Sequence, residues 1–334
     1  MSKGISVIIC CYNSATRLPK TLEYLANQRF PILINWEIII VDNNSSDGTA
    51  EVAAREWKNK AKAIDFIIIK EESPGLSYAR HKGVLQAKHE YILFCDDDNW
   101  LQDDYLNRAI TLIDAHPEIG ALGGQGIVVA DITLPDWWED YATGFAVGKQ
   151  NEKNGFVDKR GYLWGAGLIT KKKLYLNAFE EFPSLLSDRK GAILNSGGDA
   201  EYCARVLMMG YRLYYDENLK FYHFMEAQRL TWDYKKKMFQ GHQKSEFILN
   251  CFLQIINSDR KPVLNKVKTL LKFPFKCIIY GCQLNKKGLQ ILLKDLYVDW
   301  QLDFIPFQHN TLRRVVAIKK SLKKHRQLHV HPKY

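Results

Sequence analysis

The chain has 334 residues, with 47 Lys+Arg against 37 Asp+Glu for a formal charge of +10. Its 46% apolar and 25% charged residues are globular proportions, which exclude disordered, collagen-like and coiled-coil chains and leave ample material for a buried core. No stretch approaches 18 uncharged apolar residues, and residues 1–11 lack the pattern of a signal peptide, so the expected location is cytoplasmic without a spanning helix.

The charge is unevenly spread. Residues 258–334 carry an excess of +13, leaving −3 over residues 1–257. A basic tail on a near-neutral body suits a polyanionic surface, either anionic lipid or nucleic acid. The seven cysteines include no CxxC pair, and Cys10 and Cys11 are neighbours within an apolar run. All seven read as reduced thiols, with no zinc site.

Along the first hundred residues, apolar runs at 5–11, 36–41, 64–69 and 91–95 are rich in Ile and Val on both alternating faces. That pattern predicts parallel strands covered on both sides. Between them, Leu18, Leu22 and Leu25 recur at helical spacing after Thr16 as N-cap and Pro19 in the first turn. A turn at 44–48 opens a second helix over 49–57, Pro74-Gly75 opens a third reaching Ala87, and a fourth is expected over 101–113. Strand–helix alternation at this spacing predicts a doubly wound, mostly parallel α/β sheet.

Such sheets bind ligands beyond the carboxyl ends of their strands. Here those ends are polar: Tyr12-Asn13, Asp42-Asn43-Asn44, Glu71-Glu72-Ser73 and Asp96-Asp97-Asp98-Asn99. Residues 120–224 are richer in Trp, Tyr and Gly, and Gly197-Gly198-Asp199-Ala200-Glu201 opens a helix that Gly210 closes. After Arg229 the pattern is mostly helical, with amphipathic stretches at 263–271 and 289–300.

Three consecutive carboxylates, Asp96, Asp97 and Asp98, repel one another unless a cation lies among them, and oxygen ligands select Mg²⁺ or Mn²⁺. The plainer reading is a solvated turn in front of a helix. No dinucleotide fingerprint follows the first strand, and no GxxxxGK[ST] occurs anywhere, which argues against hydride transfer and P-loop chemistry.

Five segments, taken in order, resemble a known family. They are residues 6–13 (SVIICCYN), 40–49 (IVDNNSSDGT), 75–80 (GLSYAR) and 94–98 (FCDDD), and then Gly198-Asp199-Ala200-Glu201 with Arg205, Gly210 and Tyr222-His223. Together they are similar to family 2 glycosyltransferases of GT-A fold, over roughly residues 4–230. The resemblance implies inverting, metal-dependent transfer of a sugar from a nucleotide-diphosphate donor to a hydroxyl of a saccharide acceptor.

It also implies roles. Tyr12, Asn13 and Asp42 border the nucleotide, Arg80 approaches the diphosphate, and Asp96 and Asp97 face the donor. Asp98 holds Mn²⁺ or Mg²⁺, with His223 completing the metal shell or touching the phosphates. Asp199 is the general base and Glu201 its rival. Trp137, Trp138, Trp164 and Gly165 line the acceptor cleft. Each has a plainer alternative: Asp42 as a turn cap, Arg80 as a solvated helix residue, Asp199 as an N-cap, His223 and the tryptophans as core.

Two features depart from the family pattern. The Gln-x-x-Arg-Trp motif of processive members is replaced by Gln228-Arg229-Leu230-Thr231-Trp232, and Gly198 stands where an acidic residue often precedes the catalytic Asp. The expected organisation is a nucleotide-sugar-binding half (1–100), an acceptor-binding half (101–230) and a basic helical extension (231–334). The expected setting is bacterial surface polysaccharide synthesis on a lipid-linked, polyprenyl-type acceptor at an anionic membrane surface, with no nucleic acid. A sugar-1-phosphate nucleotidyltransferase is the alternative enzyme and a nucleic-acid-binding protein the non-enzymatic one. The tail's apolar residues at helical spacing favour an interface-lying helix, or one packed on the core, over nucleic acid.

Overall fold

Alternating side chains of the first strands enter two separate cores, as expected of strands covered on both faces. Ile8, Ile39, Ile92 and Phe94 join one, and Val7, Ile9, Ile40 and Leu93 join the other. The computed structural model describes residues 2–30, 34–60, 62–186, 188–189, 194–258 and 310–325. The stretches at 263–271 and 289–300 lie outside the described residues.

The strands are β1 (Ser2–Cys11), β2 (Trp36–Asp42), β3 (Asp65–Lys70), β4 (His89–Asp96), β5 (Asn99–Leu101), β6 (Ile119–Ala130), β7 (Gly155–Phe156), β8 (Leu168–Lys171) and β9 (Arg212–Met225). They form one sheet in the order β3-β2-β1-β4-β8-β6-β9-β5, with β7 on β9. β1 pairs in parallel with both β2 and β4, β8 runs antiparallel to β4 and β6, and β6 pairs in parallel with β9. The chain moves outward from β1 through β2 to β3, then returns to place β4 on β1's other side. That reversal opens a crevice at the carboxyl ends of β1 and β4, where ligands of open α/β sheets bind.

On one face lie α1 (Leu18–Ala26), α2 (Thr49–Lys60) and α4 (Tyr105–Ala115). On the other lie α3 (Leu76–Gln86), α6 (Lys172–Phe179), α7 (Gly198–Met208), α8 (Trp232–Ser258) and α9 (Asn310–Leu322). A short α5 (Trp138–Tyr141) belongs to a satellite cluster. Leu18, Leu22 and Leu25 are fully buried, each contributing about 1.5–3 kcal/mol of apolar burial.

Two local expectations change. The fourth helix starts at Tyr105, not Leu101, because Asn99–Leu101 pairs antiparallel with β9 instead. α1 has Arg17 rather than Thr16 at its N-cap position, and the Ser14 carbonyl accepts from the Arg17 and Leu18 N–H groups.

The described part of the basic tail packs on the body. Leu312, Val315, Ile318 and Leu322 of α9 enter the same core as Phe252 of α8, and Lys319 Nζ donates to the Ile255 carbonyl at 2.8 Å. Arg313, Arg314 and Lys320 remain exposed on its outer side. No described helix is long and apolar enough to cross a membrane.

Candidate active site

The strand-end carboxylates are sorted by their partners. Asp97 accepts from the Ser14 hydroxyl and pairs with Arg17 at 2.8 Å. Asp98 is buried, with Oδ2 at 2.5 Å from Arg229 Nη1 and Oδ1 at 3.4 Å from His223 Nε2. Asp96 lies 3.9 Å from Arg80. Burial pushes the Asp97 carboxyl upward, and the neighbouring Asp98 charge adds to it. Asp98 goes the other way: burial opposes its ionisation, but His223 and Arg229 outweigh it and hold the carboxyl well below the usual range.

Register makes the Asp98–His223 contact. β5 pairs Asn99 opposite His223, and the Phe224 N–H donates to the Asp98 carbonyl at 2.9 Å, so the residue before β5 meets the histidine of β9. Arg229 follows from the 3-10 turn at Ala227–Leu230.

A second cluster gathers around Arg80 of α3, itself nearly buried. Its guanidinium lies between Asp96 and Asp188, 3.8 Å from the latter, and over the Phe94 ring. Burial opposes its charge, but Asp188 and Asp96 raise its pKa. Asp199, at the start of α7, accepts from the Ala200 and Gly165 N–H groups, both at 2.8 Å. Two glycines leave room for these side chains: a Cβ on Gly165 would lie 2.7 Å from Arg80 Nη2, and one on Gly198 would meet the Asp188 carboxylate.

Both clusters face one cavity of about 1150 Å³ at the carboxyl ends of β1 and β4. Tyr12, Arg80, Asp96, Asp97, Asp98, Trp164, Gly165, Asp199, His223 and Arg229 all line it. Residues 6–172 match the sequence model described as "Glycosyl transferase family 2", half of the chain. The chain belongs to glycosyl transferase family 2. This family 2 glycosyltransferase is 32% identical over 124 residues to the poly-β-1,6-N-acetyl-D-glucosamine synthase of Staphylococcus epidermidis, covering 37% of this chain and 28% of that one. It is 37% identical over 109 residues to the cholesterol galactosyltransferase of Borreliella burgdorferi, covering 31% and 29%. The match thus spans under a third of these relatives' length. Residues 1–349 of S. aureus TarS, solved with UDP-GlcNAc, superpose with a TM-score of 0.55 over 97% of this chain and 93% of that one. At 18% identity this likeness shows the fold, which is GT-A.

Within the glycosyltransferase, several expected site residues lie elsewhere. Asp42 Oδ1 accepts from the Ser45 N–H and lines an adjoining groove with Ser46 and Gly48. Asn13 braces the same turn, donating its N–H to Ser45 Oγ and accepting from the Ser46 N–H. Trp137 and Trp138 are buried with Phe145, Met225 and Met238 rather than lining the cavity. Glu201 is fully buried against Arg205 at 2.6 Å. Its carboxylate accepts from the Leu185 and Leu186 N–H groups and the Ser184 hydroxyl, which fixes the segment leading to Asp188. A carboxylate so enclosed has no path to a substrate proton.

The structure also adds residues. Arg17 and Asp188 had no motif to mark them, and Arg229 was marked only by the segment at 228–232 that departs from the family's pattern. One face of α8 forms a cavity wall through Phe239, His242, Glu246, Leu249 and Leu253, at helical spacing. Burial pushes the His242 imidazole below its ordinary pKa.

Among the described residues no group of three or more His, Cys, Asp or Glu side chains could hold a metal. The pair Asp98 Oδ1 and His223 Nε2 still fits a hard cation that completes its shell with substrate phosphates and water, as Mg²⁺ and Mn²⁺ do. His223 Nδ1 is buried without a hydrogen-bond partner, which leaves the ring's orientation to its other nitrogen.

Proposed function

We propose that this glycosyltransferase moves a sugar, with inversion, from a nucleoside-diphosphate sugar to a hydroxyl of a saccharide acceptor, and that Asp199 is the general base. The observation that carries this reading is one cavity joining a strand-end carboxylate triplet, a paired arginine and an open carboxylate at a helix start.

The donor belongs at the carboxyl ends of β1 and β4. Tyr12, half-exposed there, suits stacking on the base. Asp96 suits the ribose hydroxyls. Asp97, held by Arg17 and Ser14, fixes the loop, and Asn13 and Asp42 order the turn beside the base rather than read it. Arg80 and Arg229 supply fixed positive charge for the diphosphate. A divalent cation held by Asp98 and His223 would supply Lewis-acid stabilisation of the departing diphosphate.

In the transfer step, an acceptor hydroxyl oxygen attacks the anomeric carbon from the face opposite the diphosphate. A new C–O bond forms as the bond from that carbon to the phosphate oxygen breaks. The electron pair leaves on the nucleoside diphosphate, and the hydroxyl proton passes to Asp199. Two backbone N–H groups fix the Asp199 carboxylate in position at the cavity wall. Residues 1–100 supply most of the donor side, to which His223 and Arg229 are added from residues 101–230; the rest of that half serves the acceptor, and α8 extends the acceptor wall.

The acceptor we assign is a lipid-linked saccharide of bacterial surface polysaccharide synthesis, met at an anionic membrane surface facing the exposed basic side of α9. The S. epidermidis relative, named as a polysaccharide synthase, supports that setting. Product identification tests the reaction class. Release of a nucleoside diphosphate together with a glycoside of inverted anomeric configuration is expected; release of pyrophosphate would make the chain a nucleotidyltransferase.

A further inference from the structure

The cavity's arginines differ in how their charge is balanced. Arg17 pairs with Asp97, Arg80 with Asp96 and Asp188, and Arg229 with Asp98. Arg160, in the loop after β7, lines the same cavity and, like the exposed Arg189, forms no ion pair among the described residues. It is nonetheless built in. Its guanidinium carbon lies 4.3 Å from the Tyr162 ring centre and 5.4 Å from that of Trp164, and Nη1 donates to the Gln150 carbonyl at 2.6 Å. Gln150 is itself buried and pinned, donating to the Gly124 carbonyl and accepting from the Trp164 N–H, both at 2.9 Å. Arg160 Nε is buried with no hydrogen-bond partner.

A buried donor without an acceptor costs stability, and a guanidinium without a counter-charge costs more. Stacking covers guanidinium faces and leaves the in-plane N–H edge for hydrogen bonding, and that edge matches the paired oxygens of a carboxylate or phosphate. Position assigns the ligand. Arg160 lies over the Trp164 ring, the next residue is Gly165, and the Gly165 N–H holds Asp199. The unbalanced charge therefore belongs to the general-base side of the cavity, while the donor's diphosphate is assigned to Arg80 and Arg229. The volume of about 1150 Å³ exceeds the roughly 300–1,000 Å³ of ordinary small-molecule sites, which leaves room for a second substrate.

We propose that Arg160 is an anion subsite for the acceptor, so that the saccharide receiving the sugar carries a phosphate or carboxylate group. The proposal rests on the glycosyltransferase reading of this cavity. Arg160 is a specificity residue here and takes no part in the bond-making step.

Binding to the full chain tests it. The donor site is first filled with Mn²⁺ and the nucleoside diphosphate that binds best. Glucose 6-phosphate, glucuronate and glucose are then titrated by calorimetry or ligand-observed NMR. One of the two anionic sugars is expected to bind roughly ten- to a hundred-fold more tightly than glucose, as a charge-assisted hydrogen bond supplies. Whichever anion leads identifies a phosphate-bearing or a uronate-bearing acceptor. Arg160→Gln should bring that sugar to the level of glucose while nucleotide affinity stays unchanged. Arg160→Lys, which keeps the charge and packs most like arginine, should weaken it several-fold. Equal binding of all three sugars, or a preference that survives in both variants, overturns the proposal while nucleotide binding stands. A wild-type chain that binds no nucleoside diphosphate removes the donor reading and this proposal together.

Discussion

Glu201 and Asp199 lie two residues apart on α7, and the structure predicts opposite consequences for their amide variants. Glu201 accepts from Arg205 Nε at 3.1 Å and Nη2 at 2.6 Å, from the Leu185 and Leu186 N–H groups, and from Ser184. Arg205 in turn donates to the carbonyls of Ala178, Phe182 and Pro183. Glu201→Gln removes the carboxylate that, among the described residues, alone pairs with this fully buried guanidinium, and points an NH₂ group at other donors. Breaking one side of a buried pair costs about 3–5 kcal/mol. At roughly 2–4 °C per kcal/mol for a domain of this size, Tm should fall by about 6–20 °C. Activity assayed well below the new Tm should survive. Asp199→Asn loses one acceptor for the Gly165 or Ala200 N–H, about 1–3 kcal/mol, yet should lower kcat by roughly 10²–10⁴. Differential scanning fluorimetry and initial rates on both variants decide the matter. A Glu201→Gln protein that melts like the wild type but has lost transfer would refute the reasoning and make Glu201 the base.

Trp138→Ala should cost about 3–5 kcal/mol in urea denaturation and leave both KM values unchanged, since the indole packs on Phe145 and Met238; a changed acceptor KM at unaltered stability would restore its role as a sugar platform. Burial pushes the Cys203 thiol up to about 12, so it stays protonated at pH 8. Iodoacetamide should therefore label it far more slowly than an exposed thiol in peptide mapping of the folded protein, and labelling at a free-thiol rate would contradict the packing. The chain should float with vesicles containing anionic lipid, and R313E, R314E and K320E combined should weaken that binding; equal flotation with neutral vesicles would remove the electrostatic reading of α9.

Much of the donor side was legible because its determinants are local. Runs such as 36–41 announce buried parallel strands, and a sheet of this kind puts the next residues at the ligand edge whatever the loops do. Asp96, Asp97 and Asp98 follow from that rule. Their division of labour does not, since Arg17, His223 and Arg229 reach them through long-range pairing: the His223 contact depends on the β5–β9 register, and β5 itself was read as the start of a helix. The acceptor side was least legible. Trp137-Trp138 looks in sequence like a sugar platform, but the pair supplies a satellite core. Glu201 looks like a rival base, and only its three-dimensional partners show it to be a strut. α8 has an ordinary amphipathic sequence, and nothing in its spacing reveals that one stripe faces the cavity. Asp188 fills the space in front of Gly198 from a separate loop, a juxtaposition no local pattern encodes.

Thermal protection by nucleoside diphosphates, with and without Mn²⁺, tests the donor site most directly because it needs no acceptor. At one hundred times Kd a ligand adds about 2.7 kcal/mol, which is a rise of roughly 5–10 °C for a domain of this size. The reading predicts such a rise for at least one base, larger with Mn²⁺ than with EDTA, and loss of the Mn²⁺ increment in Asp98→Asn. No protection by any nucleoside diphosphate would contradict it.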